Sequence, residues 1–299
     1  MMRLHERTSS EPHTRAAGTP GCALKRVMRT IVGHPQWCLC LLLAWGALAL
    51  EPRHTTAWKI YETVIGGSAY IGLNNGNTVQ LNTNTKLRTP VVAPIRTVTV
   101  DRGEAFFHVG SRTLRVLVQH IAIGGTNASF SVRDYGNGNV DVVSLDGSVH
   151  IYPMRSTHES GGLSAQPVDQ IVSAGQFARV RPDKVSLYKL ESSSIQRKLM
   201  WRSGMLELVN VKLEDAAAEF NRYNVTRLTV DDPVLACRRI GGRFSVSDLA
   251  GFVATVSRIL EARAQTSQTS SGAVIHLKRT AGRATETVPP CARKIPSAD

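Results

Sequence analysis

The chain of 299 residues is long enough for two modest domains, and its 42% of hydrophobic residues can fill their cores. Lys and Arg outnumber Asp and Glu by 36 to 23, so nucleic acid is the first partner to consider. The basic residues are scattered, however, without a Lys/Arg block or interleaved aromatic side chains, and this pattern argues against nucleic-acid binding.

An apolar run, PQWCLCLLLAWGALAL at residues 35–50, contains no charged side chain. With the preceding IVGH it approaches the length needed to cross a bilayer, and the segment before it is basic. We therefore predict a short, disordered cytoplasmic segment at 1–30 and a transmembrane helix at 31–50. The alternative is a cleaved signal peptide, because Ala47-Leu48-Ala49 has the small-x-small pattern of a cleavage site. Either way, residues 51–299 are expected to be exported.

Short strand-like runs separated by Asn, Asp and Gly follow and predict an all-β domain over residues 60–182. A sandwich, a jelly roll and a β-solenoid all fit this pattern. Hairpins are expected at Gly76, Gly147 and Gly175, and the polar residues 156–167 are expected to form a loop.

The run VDRGEAFFHVG at 100–110 places a carboxylate beside a glycine inside a predicted strand. Gly103 suits a bulge or bend. We expect Glu104 to be structural, either accepting hydrogen bonds from backbone N–H groups or paired with an arginine such as Arg96 or Arg102. The neighbouring side chains Phe106 and Phe107 should point to opposite faces of the strand.

Beyond a predicted linker at 183–200, the hydrophobic period changes. Residues 201–280 predict a β-α-β-β-α-β module with two helices on one face of one sheet. Segments 204–210 and 273–278 are its candidate edge strands. Residues 281–299 are predicted to be a disordered tail.

The sequence shows no nucleophile motif, no zinc-ligand spacing and no phosphate-binding loop. We therefore expect neither enzyme activity nor a cofactor or metal. Cys237 and Cys291 are both in the exported part and could form a disulfide bond.

A series of short motifs runs through the predicted β domain: GLNNGNTVQLN (72–82), VDRGEAFFHV (100–109), VSLDGSVHI (143–151) and SAGQ (173–176). In this order they resemble the FecR family, membrane-anchored regulators of bacterial cell-surface signalling. The resemblance implies structural roles for the motif residues. They are Gly76, Leu81, Asn82, Arg96, Gly103, Glu104, Phe106, Gly125, Thr126, Phe130, Gly147, Gly175 and Gln176.

The second module adds FNRYN (220–224) and GGRFSVSD (241–248) after a tryptophan at its start. It resembles the short signalling fold at the N-termini of secretins and TonB-dependent receptors. The residues that this resemblance makes candidates for partner binding are Trp201, Leu206, Leu208, Arg222, Tyr223, Gly242 and Phe244.

The resemblance implies a single-pass protein of the bacterial inner membrane, with its N-terminus in the cytoplasm and its bulk in the periplasm. It would regulate an extracytoplasmic-function sigma factor in response to the signalling domain of an outer-membrane TonB-dependent receptor, typically in iron uptake, with regulated proteolysis as a further family trait. The chain departs from the family at its front, where 34 residues without tryptophan replace a larger sigma-binding domain. A truncated start, a degenerate regulator and a peptide that folds on binding each explain this. The alternative function is a periplasmic scaffold without sigma-factor binding.

Overall fold

The computed structural model describes residues 57–73, 76–91, 94–154, 170–270 and 272–280. All of these belong to one compact unit, Thr56–Asp299. The predicted membrane segment at 31–50, the loop at 156–167 and the tail at 281–299 lie outside the described residues. Among the residues that are described, no helix combines the length and the apolar character that a membrane span requires.

Residues 58–189, here called the β region, form a sheet of thirteen strands. The strands are β1 (Trp58–Glu62), β2 (Ala69–Gly72), β3 (Thr78–Leu81), β4 (Lys86–Pro90), β5 (Thr97–Val109), β6 (Leu114–Val118), β7 (Ile121–Gly125), β8 (Ala128–Asp134), β9 (Val140–Asp146), β10 (Ser148–Pro153), β11 (Gln170–Ser173), β12 (Gln176–Val180) and β13 (Val185–Lys189).

The long strand β5 connects the two halves of this sheet. Its first part pairs with β4 and β6, and from Gly103 onward it pairs with β3 and β8. One half continues from β6 to β7, β10 and β11, and the other from β8 to β9, β12 and β13. The β4–β5 register shifts just before Gly103, as expected of a bulge that bends a strand.

The core of the β region draws side chains from both halves of the sheet. Val98 and Ile151 come from one half, and Phe107 and Phe130 from the other. The rings of Phe107 and Phe130 stack with their centroids 5.4 Å apart. The structure therefore confirms the prediction of a mainly β fold, and it places the core between two halves of one bent sheet.

Of the three predicted hairpins, one is confirmed and two are wrong. β2 and β3 pair across Gly76. At Gly147 and Gly175 the chain does turn, but β9 pairs with β8 and β12, whereas β10 pairs with β7 and β11. Both turns carry the chain from one half of the sheet to the other, because turn residues fix where a chain reverses but not which strand it then meets.

Residues 192–279, here called the C-terminal region, follow directly. They comprise α1 (Ser192–Leu199), a 3₁₀ turn (Met200–Ser203), β14 (Met205–Lys212), α2 (Leu213–Tyr223), β15 (Arg227–Val230), α3 (Pro233–Cys237), β16 (Arg239–Ser245), α4 (Leu249–Ile259), β17 (Ala262–Thr269) and β18 (Gly272–Arg279). The predicted linker at 183–200 thus contains the last strand of the β region and a helix.

The C-terminal region contains two small sheets, β14-β16 and β15-β18-β17, instead of the single sheet that was predicted. The two predicted helices are α2 and α4, which bury the apolar faces expected from their period. Phe220 and Phe252, one from each helix, stack with their centroids 4.1 Å apart. Cys237 is disulfide-bonded, but the other four cysteines lie outside the described residues, so its pairing with Cys291 stays a prediction.

Candidate functional site

The β region and the C-terminal region share a second hydrophobic cluster. Phe106, Val143 and Phe177 of the β region are buried in it together with side chains of the C-terminal region, among them Trp201 and Leu208. Because side chains alternate along a strand, β5 places Phe107 in its own core and Phe106 in this shared cluster. The prediction that the two phenylalanines face opposite sides is confirmed.

Arg202 covers the outer side of this cluster. Its guanidinium lies 3.7 Å from the centroid of the Phe106 ring, which is cation–π geometry. Its backbone carbonyl accepts a hydrogen bond of 3.0 Å from the Gln80 amide, and its Nε donates to Gln80 Oε1 at 3.2 Å. Arg202 therefore links β3 and β5 to the start of the C-terminal region.

A chain of alternating charges crosses the same boundary. Arg222 donates to Glu104 Oε2 at 2.8 Å and to Glu219 Oε1 at 2.5 Å. Glu219 in turn accepts from Arg133 at 2.9 Å. Glu104 and Arg133 belong to the β region, and Glu219 and Arg222 lie three residues apart on α2. Each carboxylate thus meets an arginine from the other region.

Hydrogen bonds from uncharged side chains extend this chain. The Asn82 amide donates both to Glu104 and to the Tyr223 hydroxyl, at 2.9 Å each. The Thr83 hydroxyl donates to the Arg222 carbonyl at 3.0 Å. We call Asn82, Glu104, Arg133, Glu219, Arg222 and Tyr223 the interface network. Its members occur at the end of β3, on β5 and β8, and on the last turns of α2.

The electrostatics of the network favour its charged state. Burial acts to lower the pKa of Arg222, but Glu104 and Glu219 outweigh it and raise that pKa above its usual value. Burial acts to raise the pKa of Glu219, but Arg222 and Arg133 outweigh it and hold that pKa below its usual value. Burial raises the pKa of Tyr223, so its hydroxyl stays neutral.

Several motif residues of the β region lie at this interface or support it. Asn82 and Glu104 are in the interface network, and Phe106 is in the shared cluster. At Gly103 φ is +94°, and an added Cβ would come within 2.4 Å of Thr85 Oγ1, so only glycine lets β5 bend there. Leu81 precedes Asn82 and is fully buried in the β-region core.

The other motif residues support turns and packing away from the interface. Phe130 is a core residue, and an added Cβ at Gly125 would lie 3.0 Å from its ring. Thr126 hydrogen-bonds Thr113 at 2.6 Å. The remaining motif residues lie at turns. Gly76, Gly147 and Gly175 have positive φ, and Gln176 Oε1 accepts a hydrogen bond from the Ser173 N–H.

Two sequence expectations about pairing are wrong. Glu104 pairs with Arg222, 118 residues along the chain, and not with Arg96 or Arg102. Arg96 is exposed, while Arg102 pairs with Glu62. Segment 273–278 is not an edge, because β18 lies between β15 and β17. In the described part of the chain, β17 and β14 each have a free edge.

The partner-binding candidates of the C-terminal region are mostly enclosed. Four of these side chains are between 5% and 8% exposed: Trp201, Leu206, Leu208 and Tyr223. Arg222 is a member of the interface network, and Phe244 packs edge-on against Phe252 with centroids 5.1 Å apart. Gly242 lies in β16, opposite Leu208 of β14. In this arrangement these residues join the two regions or fill the C-terminal core.

Sequence reasoning did not identify Arg133, Glu219, Gln80 or Arg202. A usable signal existed for Glu219, because it lies three residues before Arg222 on the same helical face. No local pattern marks the other three residues, whose partners are far away in sequence. The described residues also contain no group of three or more His, Cys, Asp or Glu side chains that could hold a metal ion.

Comparison with known proteins agrees with this architecture. Residues 59–150 match the model of the family described as FecR protein, which confirms the resemblance to that family over this part of the chain. Two crystal structures of a "putative anti-sigma factor" from Parabacteroides distasonis share the fold, each with a TM-score of 0.57 and 19% identity. They cover 74% and 75% of this chain, and 99% and 100% of their own. No curated protein matches the sequence.

Proposed function

We propose that the chain is a signal-relay protein that regulates a sigma factor. The match of residues 59–150 to the FecR family and the likeness of the fold to proteins described as anti-sigma factors both support this. The observation that carries the proposal is the interface network, since Glu104 and Arg222 join the two regions through part-buried, charge-assisted contacts. A partner that displaces α2 would therefore move β5 as well.

In its finer form, the proposal places the chain in the bacterial inner membrane through residues 31–50, with the described regions in the periplasm. The input would be the signalling domain of an outer-membrane TonB-dependent receptor of the iron-uptake type. The output would be an extracytoplasmic-function sigma factor in the cytoplasm. These steps rest on the resemblance and on the apolar, charge-flanked segment.

Strand addition is the mode of docking that we propose for the receptor. β17 pairs only with β18 in the described part of the chain, and most of its residues are exposed. A free edge of eight residues offers backbone donors and acceptors to a partner strand. β14, β15 and β16 also have free edges, but the leucines of β14 are buried, β15 has only four residues and β16 has seven.

We propose binding without catalysis. One arrangement on the C-terminal sheet has the hydrogen-bond order of a catalytic triad: His276 lies 3.0 Å from Asp231 and 2.9 Å from Ser267. The Asp231 side chain is 34% exposed, whereas the carboxylate of a working triad is buried. Thr229 also competes for the same ring nitrogen at 3.1 Å. A polar ladder across three strands accounts for these contacts.

The decisive experiment co-expresses the chain with the sigma factor encoded beside it and reads transcription from that factor's promoter. We expect the full chain to change reporter output and removal of residues 1–34 to abolish the change. Arg222→Ala should alter the response to the receptor's signalling domain, and Arg88→Ala, at a surface pair, should not. A chain that binds the receptor domain but never affects transcription would instead support a periplasmic scaffold.

A further inference from the structure

A partly open cleft of about 190 Å³ lies where the two regions meet. Its lining includes Trp201, Arg197 and Lys198 from the C-terminal region and the apolar side chains Val143 and Leu206. The volume suits a small organic molecule, because a cavity of about 150 Å³ accommodates benzene.

Two buried donors on residues that line this cleft lack an acceptor among the described residues. The indole N–H of Trp201, a residue only 7% exposed, has no hydrogen-bond partner there, and neither has the buried Nε of Arg197. Buried donors without a partner are rare in folded proteins, and each one lowers stability. Two in a single cleft indicate that an acceptor belongs there.

The charges of the cleft are also incompletely compensated. Each lining carboxylate is already paired: Glu104 with Arg222, Glu219 with Arg133, Asp141 with Arg179 and Glu207 with Arg243. Within the described ranges, Arg197 and Lys198 have no such ion pair. Desolvation, together with repulsion by Arg179 and Arg133, outweighs the attraction of Asp141 and Glu104 and lowers the pKa of Lys198. A bound anion would compensate both cations.

We infer that this cleft binds a small monocarboxylate with an apolar body. Its carboxylate accepts hydrogen bonds from Trp201 Nε1 and Arg197, with Lys198 beside them, and its body lies on Val143 and Leu206. A single negative charge fits better than a phosphate dianion, because four carboxylates already line the cleft. The inference does not rest on sigma-factor regulation, since it concerns ligand binding by the chain itself.

Binding at this position has a consequence for the two regions. The ligand would contact residues on both sides of the interface, so it would bind the docked arrangement more tightly than a separated one. A ligand of that kind raises the stability of the docked state by mass action. The cleft would thus couple the level of a small carboxylate to the contact between the regions.

The test uses the full chain in detergent and benzoate as the probe, with benzamide as its uncharged isostere and phosphate as a second anion. Isothermal titration calorimetry should show saturable binding of benzoate and weak or absent binding of benzamide and phosphate. Thermal denaturation should show that benzoate raises the melting temperature of the chain. The Trp201 indole N–H resonance, assigned by its loss in Trp201→Phe, should shift on binding. Trp201→Phe, Arg197→Gln and Lys198→Gln should each weaken binding by about tenfold or more.

Lys189→Gln is the matched control, because it removes an exposed lysine of β13 that does not line the cleft. Its affinity for benzoate should equal that of the unaltered chain. The inference is overturned if millimolar benzoate shows no saturable binding, if benzamide binds equally well, or if the cleft variants bind as the control does. If Trp201→Phe fails to fold, titration of Lys198→Gln and Lys189→Gln with benzoate decides. Equal affinity of these two variants would overturn the inference.

Discussion

The two hydrophobic clusters of this molecule are built differently. The core of the β region takes its members only from that region, from Ile71 to Val180. The second cluster fills most of the C-terminal region, but it includes Phe106, Val143 and Phe177 from the β region. The β region therefore closes its own core, whereas the C-terminal region completes its core on the surface of its neighbour.

This difference explains what two of the sequence motifs have in common: both contribute to the interface between the two regions. The β-region motif that contains Glu104 and Phe106 and the C-terminal motif that contains Arg222 and Tyr223 lie far apart in the chain and meet at one interface. A residue such as Glu104 then has no need of a catalytic partner. Its carboxylate fixes the position of α2, and the phenylalanine two residues later supplies apolar contact.

The largest effect is expected from substitutions at two neighbouring positions of β5, each of which disturbs a different hydrophobic cluster. Phe107→Ala should destabilise the chain by about 3–5 kcal/mol, because it opens a cavity in the β-region core. Phe106→Ala should act mainly on the C-terminal region. Hydrogen exchange of the full chain checks this: Phe107→Ala should lower protection in β5 and β8, and Phe106→Ala in α2 and β14. If the two variants lost protection in the same elements, the two clusters would not be separate cores.

The second prediction breaks the interface network. Arg222→Ala leaves Glu104 and Glu219 without the cation between them, and loss of one partner of a buried ion pair costs about 3 kcal/mol or more. Arg88→Ala is the matched control, since its pair with Asp101 is more exposed and should contribute at most about 1 kcal/mol. Chemical denaturation measures both, and equal losses would contradict a special role for the network.

The third prediction concerns the bend of β5. Gly103→Ala should cost about 2 kcal/mol or more, because its φ is +94° and its Cβ would meet Thr85. Gly76→Ala has a similar positive φ of +78°, but no described residue lies within 4 Å of its added Cβ, so its cost should stay at about 1 kcal/mol. Thermal denaturation ranks the two variants, and a reversed order would argue against the close approach to Thr85.

The smallest effect expected is on pH dependence. The folded pKa of Glu219 is lowered by Arg222 and Arg133, so its stabilising contribution exists above the unfolded value, near 4.3, and is lost as the pH falls through the folded value. Acid below about pH 4.3 should therefore weaken the interface. Melting temperatures measured between neutral pH and about pH 3 should fall less steeply for Glu219→Gln. An unchanged slope would show that Glu219 contributes nothing to the acid sensitivity.

Local sequence signals predicted the secondary-structure elements better than they predicted which strands and side chains pair. The hairpin at Gly76 and the face of α2 follow from turn residues and from a helical period, both of which are local signals. The partners of β9 and β10, and the pairing of Glu104 with Arg222, depend on residues remote in sequence. β17 was missed because Ala262–Thr269 is mostly polar and lacks the alternation that indicates a half-buried strand.

Strand β5 has a mechanical consequence. Its bend at Gly103 lies beside Glu104, and its first part is hydrogen-bonded to β4, which holds β1 along five residue pairs. A pull applied at Trp58 would load these pairs in shear, all at once, before reaching the contact with α2. Tension can thus travel from β1 through two backbone ladders to the bend of β5, and from there through Glu104 to α2.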